Sequence, residues 1–175
     1  MIQAVQHFNL LARILHWTMA ALILAMLFIG IGMVSTVSPR YDELLSVHKS
    51  IGVLVLILAA VRLINRLLNP PPPLPADLPG WQQFMAKASH VLLYILMFAL
   101  PLVGWSMLSA GGYPIVVFGS INLPPILPHD AAVFALLRTA HTVLALLLFV
   151  TFLGHFAAAL FHKLIRRDSV LKSMA

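Results

Sequence analysis

Imidazole is the side chain that binds metals as a neutral ligand and also titrates near neutrality. This chain carries eight of them among 175 residues that are otherwise poor in polar groups. Four fall inside long apolar stretches: His16, His48, His141 and His155. His141 and His155 are 14 residues apart. On one helix that is about four turns, so they project from nearly the same face, about 21 Å apart along the axis. A helix with two ligands so spaced can serve two metal sites stacked across a bilayer. His48 matches the level of His141, and His16 that of His155, so each site gains a second ligand from another helix. One ionisable side chain at membrane depth could hydrogen-bond a neighbouring helix. Four at two matched depths call for a shared functional reason.

The metal follows from what the two levels lack. Zinc wants four ligands, or three and a water, and neither level offers the carboxylates or thiols. With no cysteine in the chain, disulfides, cysteine-ligated iron–sulfur clusters, thiol nucleophiles and covalent c-type haem attachment are excluded. The five acidic residues lie in or near loops, which leaves carboxylate-bridged metal centres and paired-carboxylate catalysis without ligands. Two facing neutral imidazoles suit the axial positions of a haem iron.

Such residues need long membrane helices to hold them. Hydrophobic residues are 61% of the chain and charged residues 9%, against roughly 45–50% and about 25% in soluble domains. One soluble core of this size cannot hide that much apolar surface, so lipid must solvate it. The net charge of +6 reads as membrane topology rather than nucleic-acid binding, since so few charges cannot build a basic groove. Four stretches, at about 11–34, 48–68, 90–108 and 132–161, each approach the roughly 20 residues of a spanning helix. The expectation is an all-α membrane protein, a single domain over 1–175 formed by a four-transmembrane-helix bundle.

The first stretch is longer than the 7–15 apolar residues of a signal peptide and no small-residue cleavage site follows, so it is expected to remain a helix. Ser35 to Val47 reads as a short loop. Asn69 to Gly80, with Pro70–Pro73, Pro75 and Pro79, reads as a stiff extended linker. Gly111 to His129, with Gly112, Pro114, Pro124, Pro125 and Pro128, reads as an irregular cap. The side with the termini holds eight basic residues, Arg13, Arg62, Arg66, Lys87, Lys163, Arg166, Arg167 and Lys172, against three, Arg40, Lys49 and Arg138, on the other. That asymmetry predicts cytoplasmic N and C termini.

Other residues join the candidate sites with two readings each. Gly30, Gly32, Gly52, Gly104 and Gly154 either let a planar cofactor approach the backbone or let helices pack closely. Lys49 and Arg138 beside the upper ligands, and Arg13, Arg62 and Arg66 at the other face, either bind haem propionates or snorkel at the interface. His90, read as the start of the third helix, either lines a quinone pocket or is interfacial. His162, seven residues after His155, is a competing ligand, a proton donor or, as favoured, an interfacial residue. Trp17, Trp81 and Trp105 read as interface or haem-packing aromatics, and His7 and His129 as loop or interface residues.

The pattern resembles the bacterial cytochrome b561 family. The resemblance rests on His16-Trp17 in the first helix, His48 opening the second, and the pair His141 and His155. The Val-Arg-Leu-Ile-Asn-Arg stretch from Val61 to Arg66 before the prolines, and His90 with Leu100 to Gly104, also look like that family. It covers essentially the whole chain. The same four-histidine plan occurs in cytochrome b subunits of membrane hydrogenases and formate dehydrogenases. The resemblance implies a four-helix bacterial inner-membrane protein with two b haems, His48 and His141 holding the periplasmic one and His16 and His155 the cytoplasmic one. A family member that oxidises superoxide and reduces ubiquinone implies an oxidoreductase with superoxide as donor and quinone as acceptor. His90 or His162 would then supply protons, and Lys49 and Arg138 would attract the anion. The charges on that side are balanced, Arg40, Lys49 and Arg138 against Asp42, Glu43 and Asp130, so they neither favour nor exclude it. The alternatives are a haem-bearing anchor subunit for a dehydrogenase-type redox partner, and a cofactor-free structural or transport protein that leaves the matched histidines without an account.

Overall fold

The computed structural model describes residues 7–75 and 77–174. Four helices, α1 (Leu10–Ser35), α2 (Arg40–Leu68), α3 (Gly80–Ala110) and α4 (Ala131–Phe161), dominate it. Each is long and apolar enough to cross a membrane. A π-helical turn, His162–Arg166, continues α4, and a 3-10 turn, Lys172–Met174, follows.

Local chemistry fixes the helix ends. The Asn9 side chain accepts from Ala12 N at 2.7 Å and starts α1; Asp130 accepts from Ala132 N and Val133 N and starts α4. Both satisfy donors that a first helical turn leaves open. α2 begins after Pro39 with Asp42 and Glu43 in its first turn, where negative charge offsets the positive end of the helix dipole. It therefore starts eight residues earlier than the apolar window, and the expected Ser35–Val47 loop shrinks to Thr36–Pro39. α3 likewise starts at Gly80 after Pro79, ten residues before the expected start. His48 and His90 consequently do not open their helices. They lie about 12 Å and about 15 Å inside them.

The helices pack unequally. α1 lies along α2, α3 along α4, and α2 against α3, while α4 stands off α1 and α2. The core is Met19, Val55, Ala59 and Met97, with Leu22, Ile23, Ile51, Leu58, Tyr94 and Phe98 against it, all from the first three helices. Leu148 is the one buried residue of α4. Most large apolar side chains face outward, as lipid solvation allows.

Each end of the bundle is closed. The expected irregular cap contains a short antiparallel hairpin, β1 (Val116–Val117) with β2 (Ile121–Asn122), whose turn uses Gly119 at φ 77. Phe118 N donates to Ser50 Oγ (2.9 Å), Trp105 Nε1 to the Pro124 carbonyl (2.9 Å), and Ile126 N to Ser109 Oγ (3.1 Å). These bonds pin the cap on α2 and α3. At the other end both termini meet: Phe8 N donates to the Ser173 carbonyl and Trp17 Nε1 to the Met174 carbonyl, each at 3.0 Å. The two are called here the hairpin end and the terminal end.

Candidate functional site

Seven-residue spacing organises the interior. α4 carries His141, Leu148, His155 and, just past its end, His162; α2 carries His48, Val55, Arg62 and, at its C-cap, Asn69; α3 carries His90, Met97 and Gly104; α1 carries His16, Ile23 and Gly30. Seven residues rise about 10.5 Å and nearly return to the same face. The middle step is apolar on every helix: Val55 and Met97 are buried together with Ile23 against them, and Leu148 is buried on α4. The steps on either side carry the polar side chains, His48 and His141 with Gly104 and Gly30 at one level and His16, His90, His155 and Arg62 at the other.

At the hairpin end the rings of His48 and His141 face each other with centres 6.1 Å apart. Gly104 lies against His141: a Cβ there would sit 3.3 Å from His141 Cε1. His48 Nδ1 and His141 Nδ1 are buried without a hydrogen-bond partner.

At the terminal end His16 and His155 have ring centres 6.3 Å apart. His90 joins them from α3, 5.4 Å from His155, so this level holds three imidazoles. The expectation of His90 at a helix start is corrected by the earlier start of α3. Trp17 stands edge-on to His16 at 5.4 Å. Arg62 reaches across the level. Its Nε donates to Tyr94 Oη (3.2 Å), one terminal nitrogen donates to the Ala12 carbonyl (3.5 Å), and the other lies 3.1 Å from His16 Nδ1. Arg66 sits over the Tyr94 ring at 5.6 Å.

The remaining candidates scatter. Lys49 Nζ contacts the Pro114 carbonyl at 3.5 Å, and Arg138 is exposed. Arg13 Nε is buried without a partner near the terminal end. His162 turns to Asp168, with Nδ1 2.6 Å from Oδ2. Arg166 bonds the same oxygen at 3.1 Å and reaches Asp77 at 2.6 Å. Burial alone would push the Asp168 carboxyl up, but the bonds from His162, Val170 N and Arg166 outweigh it and hold it below its usual range. His7 is exposed and His129 packs on Gly112.

Sequence reasoning passed over Asn65, a buried polar residue of α2. It exchanges amide hydrogen bonds with Asn9 at 3.1 and 3.3 Å and accepts from Asn69 at 3.2 Å. Its signal was the trio of asparagines flanking two apolar stretches. Gly104 and His90 also gain a specific place, through the α3 register seven residues at a time.

The donor set fits two-coordinate axial ligation better than a closed metal cage. At each level two neutral imidazoles from different helices face each other, with ring centres 6.1 and 6.3 Å apart, and such a pair would hold a haem and tune its iron. Among the described residues no three of His, Cys, Asp and Glu converge as a metal site. Gly104 leaves room beside one ring that any side chain would fill. One adjustment is needed at the terminal end. Arg62 can only donate, so His16 Nδ1 accepts from it; a metal on Nε2 puts the proton on Nδ1, and this one bond must then open.

Comparison with known proteins agrees with a helical membrane fold. The model of prokaryotic cytochrome b561 matches residues 7–175. The chain is 33% identical over 172 residues to cytochrome b561 homolog 2 of Escherichia coli (strain K12), covering 97% of this chain and 91% of that protein. It is 32% identical over 142 residues to cytochrome b561 homolog 1 of the same organism, covering 78% and 77%. A Yersinia pestis protein named probable superoxide oxidase CybB is 30% identical over 132 residues, covering 73% of this chain and 72% of its own. The cofactor this family implies is haem b. With four spanning helices and a match along nearly its whole length, the chain belongs to the prokaryotic cytochrome b561 family and is a multi-pass bacterial membrane protein.

Proposed function

We propose that the protein is a di-haem b electron carrier of the bacterial inner membrane. It passes electrons from a donor at the hairpin end to membrane quinone, with superoxide as the donor and ubiquinone as the acceptor. The supporting observation is the arrangement of two imidazole pairs, with ring centres 6.1 and 6.3 Å apart, at two levels of the same helix α4. His48 and His141 hold one haem, and His16 and His155 the other. The lysine and arginine asymmetry supports cytoplasmic termini and a periplasmic hairpin.

Haem b, when bound, supplies an iron that exchanges one electron without a covalent intermediate. The chain does the rest. Leu148, Val55, Met97 and Ile23 keep water out of the space between the levels. Lys49 and Arg138 offer positive charge near the hairpin-end pair, where an anionic donor approaches. The Yersinia relative's name favours superoxide. Two superoxide ions each lose one electron and become dioxygen, and one quinone takes those two electrons and two protons. His162, held by Asp168 at the surface of the terminal end, and His90 beside His155 are the groups able to hand on those protons.

The test is superoxide-driven ubiquinone reduction by the purified, haem-loaded protein. Turnover that tracks superoxide supply, and is lost in His141→Ala, is the expected result. Haem that stays oxidised under a superoxide flux would remove superoxide as donor.

A further inference from the structure

The two imidazole levels differ in charge. At the hairpin end, the steps on the four helices are His48, His141, Gly104 and Gly30; of the two nearby cations, Lys49 turns its amine to the Pro114 carbonyl and Arg138 is exposed, where solvent screens its charge. At the terminal end the fourth member of the level is Arg62, half-buried, with Arg66 one turn further along α2. Neither has a carboxylate partner among the described residues. The five acids are placed elsewhere. Asp42, Glu43 and Asp130 lie at the hairpin end, and Asp77 and Asp168 are engaged by Arg166 and His162. A cation without a counter-charge at membrane depth is costly and needs a purpose.

Resting on the reading that the imidazole pairs bind haem, we propose that Arg62 is a positioning residue for charge. It sets the terminal-end site at a higher reduction potential than the hairpin-end site, and so gives electrons a direction along α4. A fixed positive charge favours the reduced form of a neighbouring metal centre, and it acts strongly where the dielectric is low. Three contacts, one from α3 and two from α1, hold the guanidinium there. Iron on His16 Nε2 opens only the contact to His16 Nδ1. The Tyr94 hydroxyl and the Ala12 carbonyl, acceptors at 3.2 and 3.5 Å, keep the charge at the same level. The step so directed is a single electron leaving the reduced hairpin-end centre and reducing the terminal-end one, with no bond or proton exchanged.

The experiment is a potentiometric titration of the haem absorbance in the purified protein. His141→Ala leaves only the terminal-end site intact and His155→Ala only the hairpin-end site, so each midpoint can be assigned. In otherwise unaltered protein the terminal-end site should titrate at the higher potential. Adding Arg62→Gln should lower the terminal-end midpoint by at least tenfold in the one-electron equilibrium, about 59 mV, and leave the hairpin-end midpoint in place. Arg62→Lys, which keeps the charge, should restore most of the difference. The reverse order of midpoints overturns the inference even if Arg62→Gln fails to fold. So does an unmoved midpoint, an equal shift at both sites, or a Lys variant that behaves like Gln. A wild-type preparation without haem removes the reading beneath it instead.

Discussion

Gly104 of α3 lies against the ring of His141 on α4, and a Cβ there would come within 3.3 Å of Cε1 and 3.6 Å of Nδ1. The contact is tight enough that an added methyl must displace the ring by a few tenths of an ångström. It links a missing side chain on one helix to the aim of an imidazole on its neighbour.

Gly104→Leu is therefore expected to remove the hairpin-end haem and spare the other. Haem per chain should fall from two to one, with the remaining one still lost on further substitution of His155. Gly104→Ala should keep both haems. Two haems in the leucine variant would show that His141 does not need this position.

Asn65 ties the ends of α1 and α2 by reciprocal amide hydrogen bonds with Asn9 and a further one from Asn69. Asn65→Leu leaves the Asn9 amide nitrogen without its partner, while Asn69 keeps the Asn65 carbonyl, and should cost about 1–3 kcal/mol, read as a lower unfolding midpoint in detergent. Asn9→Leu, which also removes the α1 cap, should cost less in the Asn65→Leu chain than in the parent, because the Asn9–Asn65 bonds are already gone. A purely additive double variant would contradict the pairing.

Asp168 gives the terminal end an acid sensitivity. Its carboxyl is held below the usual range in the folded chain by His162, Val170 N and Arg166, against the opposing effect of burial. A depressed carboxyl stabilises the fold above its unfolded pKa, and this contribution is lost as pH falls through the folded value. Docking of the C-terminal turn should thus be intact at neutral pH and weaken only below the ordinary carboxylate range. Asp168→Asn should loosen it already at neutral pH. Protease cleavage after Arg167 measures this; cleavage of the parent chain that rises already near pH 6 would point to a different group.

His90 separates ligand from proton carrier. As a carrier beside the His16–His155 pair, its replacement by Gln should leave two haems per chain and unchanged low-spin spectra. Quinone reduction should slow by about 10²-fold, the usual scale of a lost acid–base group. Loss of a haem in His90→Gln would make it a ligand, and full turnover would remove it from the proton route.

The spans and the matched histidine depths were legible in the sequence because depth along a helix is a one-dimensional property, counted in residues. Helix ends were not, since α2 and α3 run beyond the apolar window on polar residues such as Asp42, Glu43, Gln82 and Gln83. The apolar window therefore starts at His90, although the helix carries it beside His155. The role of Arg62 depends on which way α2 faces, and a basic residue near a membrane boundary gives no azimuth. The register shared by His48 and Arg62, and by His90 and Gly104, was present as multiples of seven, but it gains meaning only when the helices are set side by side. The β1–β2 hairpin escaped notice because two-residue strands carry no period to read.

The central claim is that the two imidazole pairs each hold one haem. Haem per chain, measured as the pyridine haemochrome with the low-spin electron paramagnetic resonance signals of the oxidised protein, tests it most directly. The account predicts two bis-imidazole b haems in the parent chain, one in His48→Ala or His141→Ala, and the other one in His16→Ala or His155→Ala. A single haem in the parent chain, or loss of the same signal from variants at both levels, would contradict it.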